Sequence, residues 1–415
     1  MIRDIIINQK REIELNLNEK YVRRIVKLSE DSADLIRVII GPRRSGKSFF
    51  GIHQLTENKK IGFVNFDDER LVKVQNFDEI LQALLVVYDH PKILLLDEIQ
   101  NLPDWELIVN RLQRNGFQLI ITGSNSNLLS SELATHLTGR HLPVNLFTFN
   151  FREYLDSFSI EMTELEIKEK FLEYLTQGGY PEPLMKSLNY NDYLRILFDS
   201  ILFKDIVKRY NIRHSNSLEN LAIWLISNIT AEYSMSSLIG QVQISSVHTV
   251  KKYLHYLQES FVFFSLSKFS FKVGIQQRSN KKNYCFDNGF YRAKAFHFSE
   301  DWGKLLENLV ASELYKRCQY LGMKIFYWKD RDHTEVDFVV QAGINISTLI
   351  QVCWDLSKYK TRDREVKSLL NASTKLKCHQ LLIITYEEEF VEEYSWFGVK
   401  EKIEFVPAWK WFQKA

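Results

Sequence analysis

The chain has 415 residues, which suffices for two or three domains of ordinary size. Its composition, 45% hydrophobic and 26% charged, is that of an ordinary soluble protein, and the formal net charge of +2 shows no polybasic tail for nucleic acid. The four cysteines lie far apart without a C-x-x-C pair, which favours reduced thiols over a disulfide framework or a zinc site. No uncharged apolar run approaches the roughly 18 residues of a membrane span, and the first residues lack the layout of a signal peptide. We therefore expect a cytoplasmic protein that does not cross a membrane.

The first third of the chain predicts an α/β domain with a glycine-containing loop after its first strand. Residues 5–30 place apolar side chains at helical spacing, which predicts a leading helix. An apolar strand at 35–40 and a helical segment at 49–55 flank residues 41–48, whose sequence is Gly-Pro-Arg-Arg-Ser-Gly-Lys-Ser. The spacing G-x-x-x-x-G-K-S between a strand and a helix is typical of a loop that binds nucleotide phosphates. The alternative is a glycine-rich turn that caps a helix by chance.

Each residue type in this loop suits the chemistry of a triphosphate. Gly41 and Gly46 allow backbone torsions and a close approach that a side chain would block. Successive backbone N–H groups and the helix N-terminus point at phosphate oxygens. Lys47 supplies a positive charge for the β- and γ-phosphates, and the Ser48 hydroxyl is the expected ligand of Mg²⁺. We therefore predict ATP and Mg²⁺ as cofactors, bound by Gly41, Pro42, Arg43, Arg44, Ser45, Gly46, Lys47, Ser48 and Phe49.

Two carboxylates follow a second apolar run. Residues 93–96 are four consecutive apolar residues, as in strands that are buried on both faces of a parallel sheet. Asp97 and Glu98 come directly after them, where ligands bind in open α/β sheets. We expect Asp97 to belong to the Mg²⁺ shell and Glu98 to be the general base that polarises the attacking water. The alternative is an acidic pair that caps the start of a helix and complements its dipole.

A third apolar run, residues 118–122, ends in small polar residues. There Ser124 or Asn125 could hydrogen-bond the γ-phosphate or the attacking water, and the sequence does not separate the two. An ordinary turn built from Gly, Ser and Asn is the alternative. Arg140 precedes another predicted strand and could act as an arginine finger on the nucleotide of a neighbouring subunit, although a structural salt bridge fits it equally well. The candidate catalytic residues are Lys47, Glu98, Ser124, Asn125 and Arg140.

In this order the motifs resemble those of a prokaryotic family of AAA-type ATPases that carry a C-terminal domain of unknown function with a restriction-endonuclease-like core. The resemblance runs from about residue 15 to the C-terminus and is carried by residues 41–48, 95–100, 121–126, 137–140, 151–155, 178–182 and 204–210. Many NTPases share the phosphate loop, whereas the ordered set is specific. The resemblance implies this architecture and ATP hydrolysis, and no particular cellular role.

The middle of the chain predicts a winged helix-turn-helix. A helix at 234–242, a turn, and a helix at 247–259 precede a β-rich run at 261–266. In DNA-binding proteins of this order the second helix enters the major groove. Lys251 and Lys252 lie off the apolar stripe of that helix, and further cations follow at Lys268, Lys272, Arg278, Lys281 and Lys282. Contact of residues 250–282 with double-stranded DNA is one hypothesis; a packing module with solvated lysines is equally compatible, because two lysines are a small electrostatic footprint.

The C-terminal third predicts a helix at 302–318, strands at 323–328, 335–340 and 348–354, and a helix at 361–372. This order resembles the core of the restriction-endonuclease-like nucleases, which bind Mg²⁺ through an Asp on one strand and a Glu on the next, with a lysine two residues later. Asp337 and Glu307 match acidic positions of that pattern. We expect Asp337 to pair with Lys329 or Arg331.

The second half of the nuclease pattern is missing from this chain. Gln351 and Cys353 occupy the positions of the glutamate and the lysine. A neutral amide is a poor ligand for a hard dication, and a thiol does not replace the charge of lysine at pH 7. We therefore expect a nuclease-like fold without nuclease activity.

The predicted fold class is α/β: a P-loop NTPase parallel sheet, then a helical and winged-helix module, then an α/β nuclease-like domain. The predicted domains are residues 1–185, 186–275 and 276–415. The favoured function is a Mg-dependent AAA-type ATPase that couples its nucleotide state to the two later domains, with action on DNA left open. The alternatives are a slow ATP-gated regulatory or DNA-binding switch and, third, an active metal-dependent nuclease. A homo-oligomer is an open partner prediction.

Overall fold

The computed structural model describes residues 1–28, 35–54, 61–74, 76–124, 140–242, 244, 246–296, 301–396 and 398–414. The chain divides into two compact units. The first comprises Met1–Phe149, Tyr180–Lys186 and Glu259–Phe261, and the second comprises Asn150–Gly179, Ser187–Gln258 and Val262–Ala415. The division into three domains with boundaries at residues 185 and 275 stays a prediction.

The first unit contains a five-stranded parallel sheet. Its described strands are β1 (Ile36–Ile40), β2 (Ile61–Asn65), β3 (Ile93–Asp97), β4 (Gln118–Gly123) and β5 (His141–Asn145). Their order in the sheet is β2-β3-β4-β1-β5, and all neighbours are parallel. The described helices are Ile2–Asn16, Lys47–His53, Glu69–Val72, Phe77–Val87, Trp105–Arg114 and Pro181–Met185, with a 3₁₀ turn at Ile99–Asn101.

The apolar runs of the sequence form the buried centre of this sheet, as predicted. Every residue of β1 and β3 is buried, which explains why these strands are continuously apolar rather than alternating. Ile39, Leu95 and Ile120 from three adjacent strands pack together with Phe50 of the helix that follows the loop. This core fixes the loop between β1 and that helix.

The register of the strands brings the predicted site residues to one edge. Ile40 at the end of β1 lies opposite Gly123 of β4, and Asn65 of β2 lies opposite Asp97 of β3. Because the strands are parallel, their carboxyl ends share one edge of the sheet, which is where ligands bind in open α/β folds.

The leading helix is shorter than predicted. It spans Ile2–Asn16 instead of extending to residue 30, and the chain after it is irregular up to residue 28. Asn18 donates its side-chain amide to the carbonyl of Glu14 at the helix end, a local hydrogen bond of the kind that lets asparagine compete with helix propagation. The irregular segment carries the buried Arg24, which donates to the backbone carbonyl of Ser45 in the phosphate loop. The apolar residues after Asn18 thus belong to an irregular segment, residues 17–28, that packs on the phosphate loop; we call this segment the strap.

The second unit is α/β with two sheets. Its described helices are Phe151–Asp156, Glu164–Gln177, Tyr190–Ser200, Ser215–Ser227, Met235–Val242, Val247–Glu259, Val273–Arg278, Asn288–Lys294, Trp302–Leu321, Tyr359–Leu376 and Ala408–Gln413, with a π-helix at Ile201–Lys208. Its described strands are β6 (Glu232–Tyr233), β7 (Phe263–Ser267), β8 (Lys281–Cys285), β9 (Lys324–Lys329), β10 (Glu335–Ala342), β11 (Asn345–Val352), β12 (Leu381–Thr385), β13 (Phe390–Trp396) and β14 (Val399–Pro407).

The two sheets differ in strand direction. The smaller sheet has the order β6-β8-β7 and is antiparallel. The larger has the order β13-β14-β12-β11-β10-β9, with parallel pairing in the centre from β11 through β12 to β14 and antiparallel pairing outside it. The helix, three strands and helix predicted for residues 302–372 are present as Trp302–Leu321, β9 to β11 and Tyr359–Leu376, so this part of the prediction is confirmed.

Among the residues that the structure describes, no helix combines the length and the apolar character needed to cross a bilayer.

Candidate functional site

The loop between β1 and the helix Lys47–His53 depends on two glycines for different reasons. A Cβ added to Gly41 would lie 1.9 Å from the carbonyl oxygen of Leu146, so the close approach of two backbones requires glycine there. Gly46 has φ of 90° and precedes the helix, in the left-handed region that side chains disfavour. The sequence prediction for both glycines rested on this conformational freedom.

Lys47 is the first residue of the helix that follows the loop, and its side chain folds back onto the loop backbone. Its side chain is buried, and Nζ donates to the carbonyl oxygens of Gly41 at 3.2 Å and Pro42 at 2.9 Å. The same ammonium lies 3.8 Å from Glu98 Oε1. The positive charge is therefore positioned between the loop backbone and the acidic end of β3.

Ser48 and Asp97, the two predicted metal ligands, are in direct contact. The Ser48 hydroxyl donates to Asp97 Oδ1 at 2.7 Å, and Thr122 Oγ1 donates to the same oxygen at 2.6 Å. Burial, and next the negative charge of Glu98, raise the pKa of Asp97 to about 6. A buried carboxylate with a raised pKa beside a serine hydroxyl is an arrangement that a bound cation would stabilise.

Glu98 is held by three hydrogen bonds in a strained backbone conformation. Its φ of 51° lies in the left-handed region, which a non-glycine residue adopts at a cost and which is frequent at functional sites. Its backbone N–H donates to Thr122 Oγ1 at 3.0 Å. Its Oε2 accepts from the amide of Gln100 and, at 3.2 Å, from the hydroxyl of Ser124. The carboxylate is thereby oriented toward the loop.

Of the remaining candidate catalytic residues, Ser124 lies in the site and Arg140 does not. Ser124 joins the site through Glu98, whereas Asn125 lies outside the described residues. Arg140 is exposed, and its carbonyl accepts from the N–H of Ile36, the first residue of β1. It therefore lies at the amino edge of the sheet, opposite the edge that carries Lys47, and does not join the site of its own chain.

The other loop residues make lateral contacts. Arg43 Nη2 lies 3.5 Å from Asp67 Oδ2, and Arg44 Nη1 lies 3.4 Å from Glu182 Oε2. Phe49 is half-buried, with its ring 6.4 Å from that of Tyr21. The loop and the helix after it thus contact the turn that follows β2, the strap and the short helix Pro181–Met185.

A cavity of about 460 Å³ adjoins the loop. It is lined by the loop, by Asp97 and Glu98, and by residues that sequence reasoning missed. These are Lys20, Tyr21 and Val22 of the strap, and Met185 and Lys186 at the end of the helix Pro181–Met185. Thr122 was missed as well, although a lone hydroxyl in an otherwise apolar strand is a signal, since a buried hydroxyl needs a partner. The strap and the helix Pro181–Met185 lie too far from the loop in sequence for any local pattern to place them beside it.

The residues present fit a nucleotide with Mg²⁺. Ser48 and Asp97 offer the oxygen ligands that Mg²⁺ prefers. Within the described parts of the chain, the fully buried Ser45 Oγ has no hydrogen-bond partner, which leaves a donor in the loop for a phosphate oxygen. The ammonium of Lys47 supplies the charge.

Two predictions for the second unit need correction. Asp337 does not pair with Lys329 or Arg331: its Oδ1 lies 3.3 Å from Lys282 Nζ, while Lys329 contacts Glu335 and Glu232. Lys282 is also not available to contact DNA as the sequence suggested, because its side chain is buried against the carboxylates of Glu335 and Asp337.

Three family models match successive parts of the chain. Residues 33–155 match the model described as an AAA domain. Residues 168–300 and 302–407 match two domains of unknown function, DUF8612 and DUF4143. The first match agrees with the parallel sheet and the P-loop, and the other two assign no activity, so the winged-helix and nuclease-like folds stay predictions.

Among solved structures, the replication initiator DnaA bound to AMPPCP and single-stranded DNA matches at 16% identity over 55% of this chain and 85% of that chain, with a TM-score of 0.26. The Aeropyrum pernix ORC1 protein in complex with DNA matches at 11% identity over 72% of this chain and 97% of that one, with a TM-score of 0.31. These TM-scores are too low to support an argument about this chain.

Sequence relatives match along most of their length. An uncharacterized protein from Haemophilus influenzae is 28% identical over 359 residues, covering 81% of this chain and 86% of the relative. The uncharacterized protein MJ1544 from Methanocaldococcus jannaschii is 35% identical over 395 residues, covering 91% of this chain and 88% of the relative. The chain belongs to the same family as MJ1544, with an AAA-type P-loop domain in its first part.

Proposed function

We propose that this chain is an ATPase that binds ATP with Mg²⁺ at residues 41–48 and hydrolyses it. The observation that carries the proposal is the convergence of Lys47, Ser48, Asp97 and Glu98 at the carboxyl edge of the sheet. The match of residues 33–155 to an AAA domain supports the same activity.

The binding role falls to the loop and its two ends. Lys47 is held inside the loop by two carbonyls, so its ammonium is preorganised for the phosphates of ATP. Ser48 and Asp97 would hold Mg²⁺, which neutralises negative charge on the phosphates when it is bound. Ser45 adds a hydroxyl, and the backbone N–H groups at the start of the helix Lys47–His53 point the same way.

The hydrolytic role falls to Glu98. A carboxylate can orient a water and accept its proton if it is held in one position near the phosphates. Gln100 and Ser124 hold Oε2, and Oε1 is the oxygen that faces Lys47. The hydroxyl of Thr122 accepts the backbone N–H of Glu98 and so positions that residue.

The test is steady-state ATP turnover in Glu98→Gln. We expect ATP affinity to be kept and kcat to fall by at least about 10²-fold, the scale of losing a general base. The matched control is Glu79→Gln, which neutralises an exposed carboxylate of the same unit. Near-normal turnover in Glu98→Gln would remove this residue from the mechanism.

A second candidate is a slow ATP-gated switch whose output is binding of double-stranded DNA through residues 250–282. Residues 260–286 contain no Asp or Glu, and Lys251, Lys252, Lys272 and Arg278 are exposed. The segment between β7 and β8 also exposes Phe271, at 75% of its surface. A basic, partly apolar hairpin complements a duplex with its phosphates and base steps.

ATP turnover with and without duplex DNA separates the two candidates. Strong stimulation of turnover by DNA indicates an ATPase coupled to nucleic acid. Turnover that stays below about one ATP per minute in both conditions, with tight binding of DNA only in the presence of ATP, indicates the switch.

A further inference from the structure

A buried lysine lies at the centre of three carboxylates in the second unit. Lys282 on β8 is 4% exposed. Its Nζ lies 3.1 Å from Glu307 Oε1, 2.5 Å from Glu335 Oε1 and 3.3 Å from Asp337 Oδ1. An ammonium has three N–H donors, so each donor has one carboxylate acceptor.

The carboxylates converge from two elements, and each also contacts a group other than Lys282, which for Glu335 is Lys329. Glu307 lies on the helix Trp302–Leu321 and accepts from the Tyr284 hydroxyl at 2.9 Å. Asp337, on β10, accepts the backbone N–H of Val352 at Oδ2, at 2.9 Å. Asp337 thus directs Oδ1 at the lysine while its Oδ2 is bound to the backbone, whereas Glu307 uses the same Oε1 for Tyr284 and for the lysine.

The charge balance requires a cation at that point. Burial raises the pKa of Glu307 to about 7, and burial raises the pKa of Asp337, because carboxylates that leave water are costly. Burial alone would lower the pKa of Lys282, but the surrounding Glu307, Tyr284 and Asp337 hold it well above its ordinary value. The lysine stays charged, and the centre remains stable because of it.

Gln351, beside this centre, has both ends of its side-chain amide occupied. Gln351 uses Oε1 to accept the backbone N–H of Asp337 at 3.3 Å and uses its amide N–H to bind Glu365. The three carboxylate oxygens that face inward are ligands of the type that a hard divalent cation takes, and waters would complete its coordination. A divalent cation and an ammonium cannot occupy the same point.

We propose that the ammonium of Lys282 is the resident cation of this acidic centre and occupies the place of a divalent metal ion, so that removal of the lysine side chain creates a site for Mn²⁺ or Mg²⁺. The proposal does not depend on the ATPase activity of the first unit. It would account for the lack of metal-dependent nuclease activity that the sequence predicts for residues 276–415.

The test compares thermal unfolding with EDTA and with MnCl₂, without nucleotide, for the native chain, Lys282→Ala and Lys281→Ala. Lys281 is the half-buried neighbour on the same strand and serves as the matched control. We expect the Tm of Lys282→Ala in EDTA to lie below that of the native chain. Mn²⁺ should then raise it by about 3 °C or more, the scale of a tight ligand on a chain of this size. The native chain and Lys281→Ala should not gain this increment.

Two further measurements keep the test decisive. In Lys282→Ala/Asp337→Asn the Mn²⁺ increment should disappear, and titration calorimetry should show one Mn²⁺ more for Lys282→Ala than for the native chain. If Lys282→Ala does not fold in EDTA, refolding with Mn²⁺ should restore it. A folded Lys282→Ala that gains no Mn²⁺ site, a failure of Mn²⁺ to restore an unfolded one, or a native chain whose Mn²⁺ binding is lost in Asp337→Asn would each overturn the proposal.

Discussion

Thr122 uses a single hydroxyl to link Asp97 and Glu98, the two acidic residues at the end of β3. It donates to Asp97 Oδ1 and accepts from the backbone N–H of Glu98, so it sets the positions of both residues. It is fully buried at the end of β4. A threonine at this position places its hydroxyl in a way that no apolar residue of the same shape reproduces.

Replacing Thr122 with valine tests this role, since the shape is kept and both hydrogen bonds are lost. Unmade hydrogen bonds at buried groups cost about 1–3 kcal/mol, and each 1.4 kcal/mol is tenfold in rate. We therefore expect kcat for ATP hydrolysis to fall about tenfold or more in steady-state kinetics. Thr385→Val, at a buried threonine of the second unit, is the control; equal kcat in the two variants would contradict the role of Thr122.

Gly41 tests the close approach of two backbones at the loop. In Gly41→Ala the new Cβ would meet the carbonyl oxygen of Leu146 at 1.9 Å, so the loop or the chain after β5 has to shift. We expect a loss of about 2 kcal/mol or more, as for overpacking at a rigid contact, and a lower Tm in thermal unfolding. Gly240→Ala is the control, because its Cβ has nothing within 4 Å; a Gly41→Ala that is as stable as this control would count against the contact.

Elements with a local pattern were predictable, and contacts across the chain were not. The strand, loop and helix around residues 36–53 follow from an apolar run and a fixed glycine spacing, and the structure contains them as predicted. The helix Val247–Glu259 and the strands β9 to β11 likewise follow from periodicity. The leading helix was predicted too long, because apolar residues of the strap mimic helical spacing.

The site itself was predictable only where it is contiguous with the motifs. Lys47 and Ser48, at the start of the helix after β1, lie beside Asp97 and Glu98 at the end of β3, as their places in the motifs predict. The strap residue Arg24 and the helix Pro181–Met185 contact the loop through tertiary packing that no local pattern encodes. Lys282 and Asp337 are 55 residues apart in sequence, which explains why the partner of Asp337 was predicted wrongly.

At the scale of elements, the proposed DNA contact is tested at the hairpin formed by β7 and β8. Lys272→Glu/Arg278→Glu reverses two exposed charges between the strands. We expect weaker binding of duplex DNA in fluorescence anisotropy and a smaller salt dependence, by about one unit of slope for each lost phosphate contact.

The matched variant for this experiment is Lys358→Glu/Lys360→Glu, which makes the same charge change at exposed residues of the same unit. It should bind duplex DNA as the native chain does. Equal losses in the two double variants would assign the effect to net charge and exclude the hairpin as the contact.

At the scale of the whole molecule, Arg140 requires a second copy if it acts on a nucleotide. It lies at the amino edge of the sheet, away from Lys47 of its own chain. We expect Arg140→Ala and Lys47→Ala to be inactive alone and to regain part of the ATPase rate when mixed, because one variant supplies the loop and the other supplies the arginine. Unchanged turnover in Arg140→Ala, or no recovery on mixing, would return Arg140 to a structural role.

The proposed ATPase activity depends on one binding event, that of MgATP at residues 41–48. Titration calorimetry of MgATP into the native chain and into Lys47→Ala, with Lys10→Ala as a control at a lysine outside the loop, measures it directly. We predict saturable binding of one MgATP per chain in the native protein and the control, and a loss of at least about tenfold in affinity in Lys47→Ala, as for removal of a charged hydrogen bond donor. A folded native chain that takes up no MgATP, or Lys47→Ala with native affinity, would contradict the account.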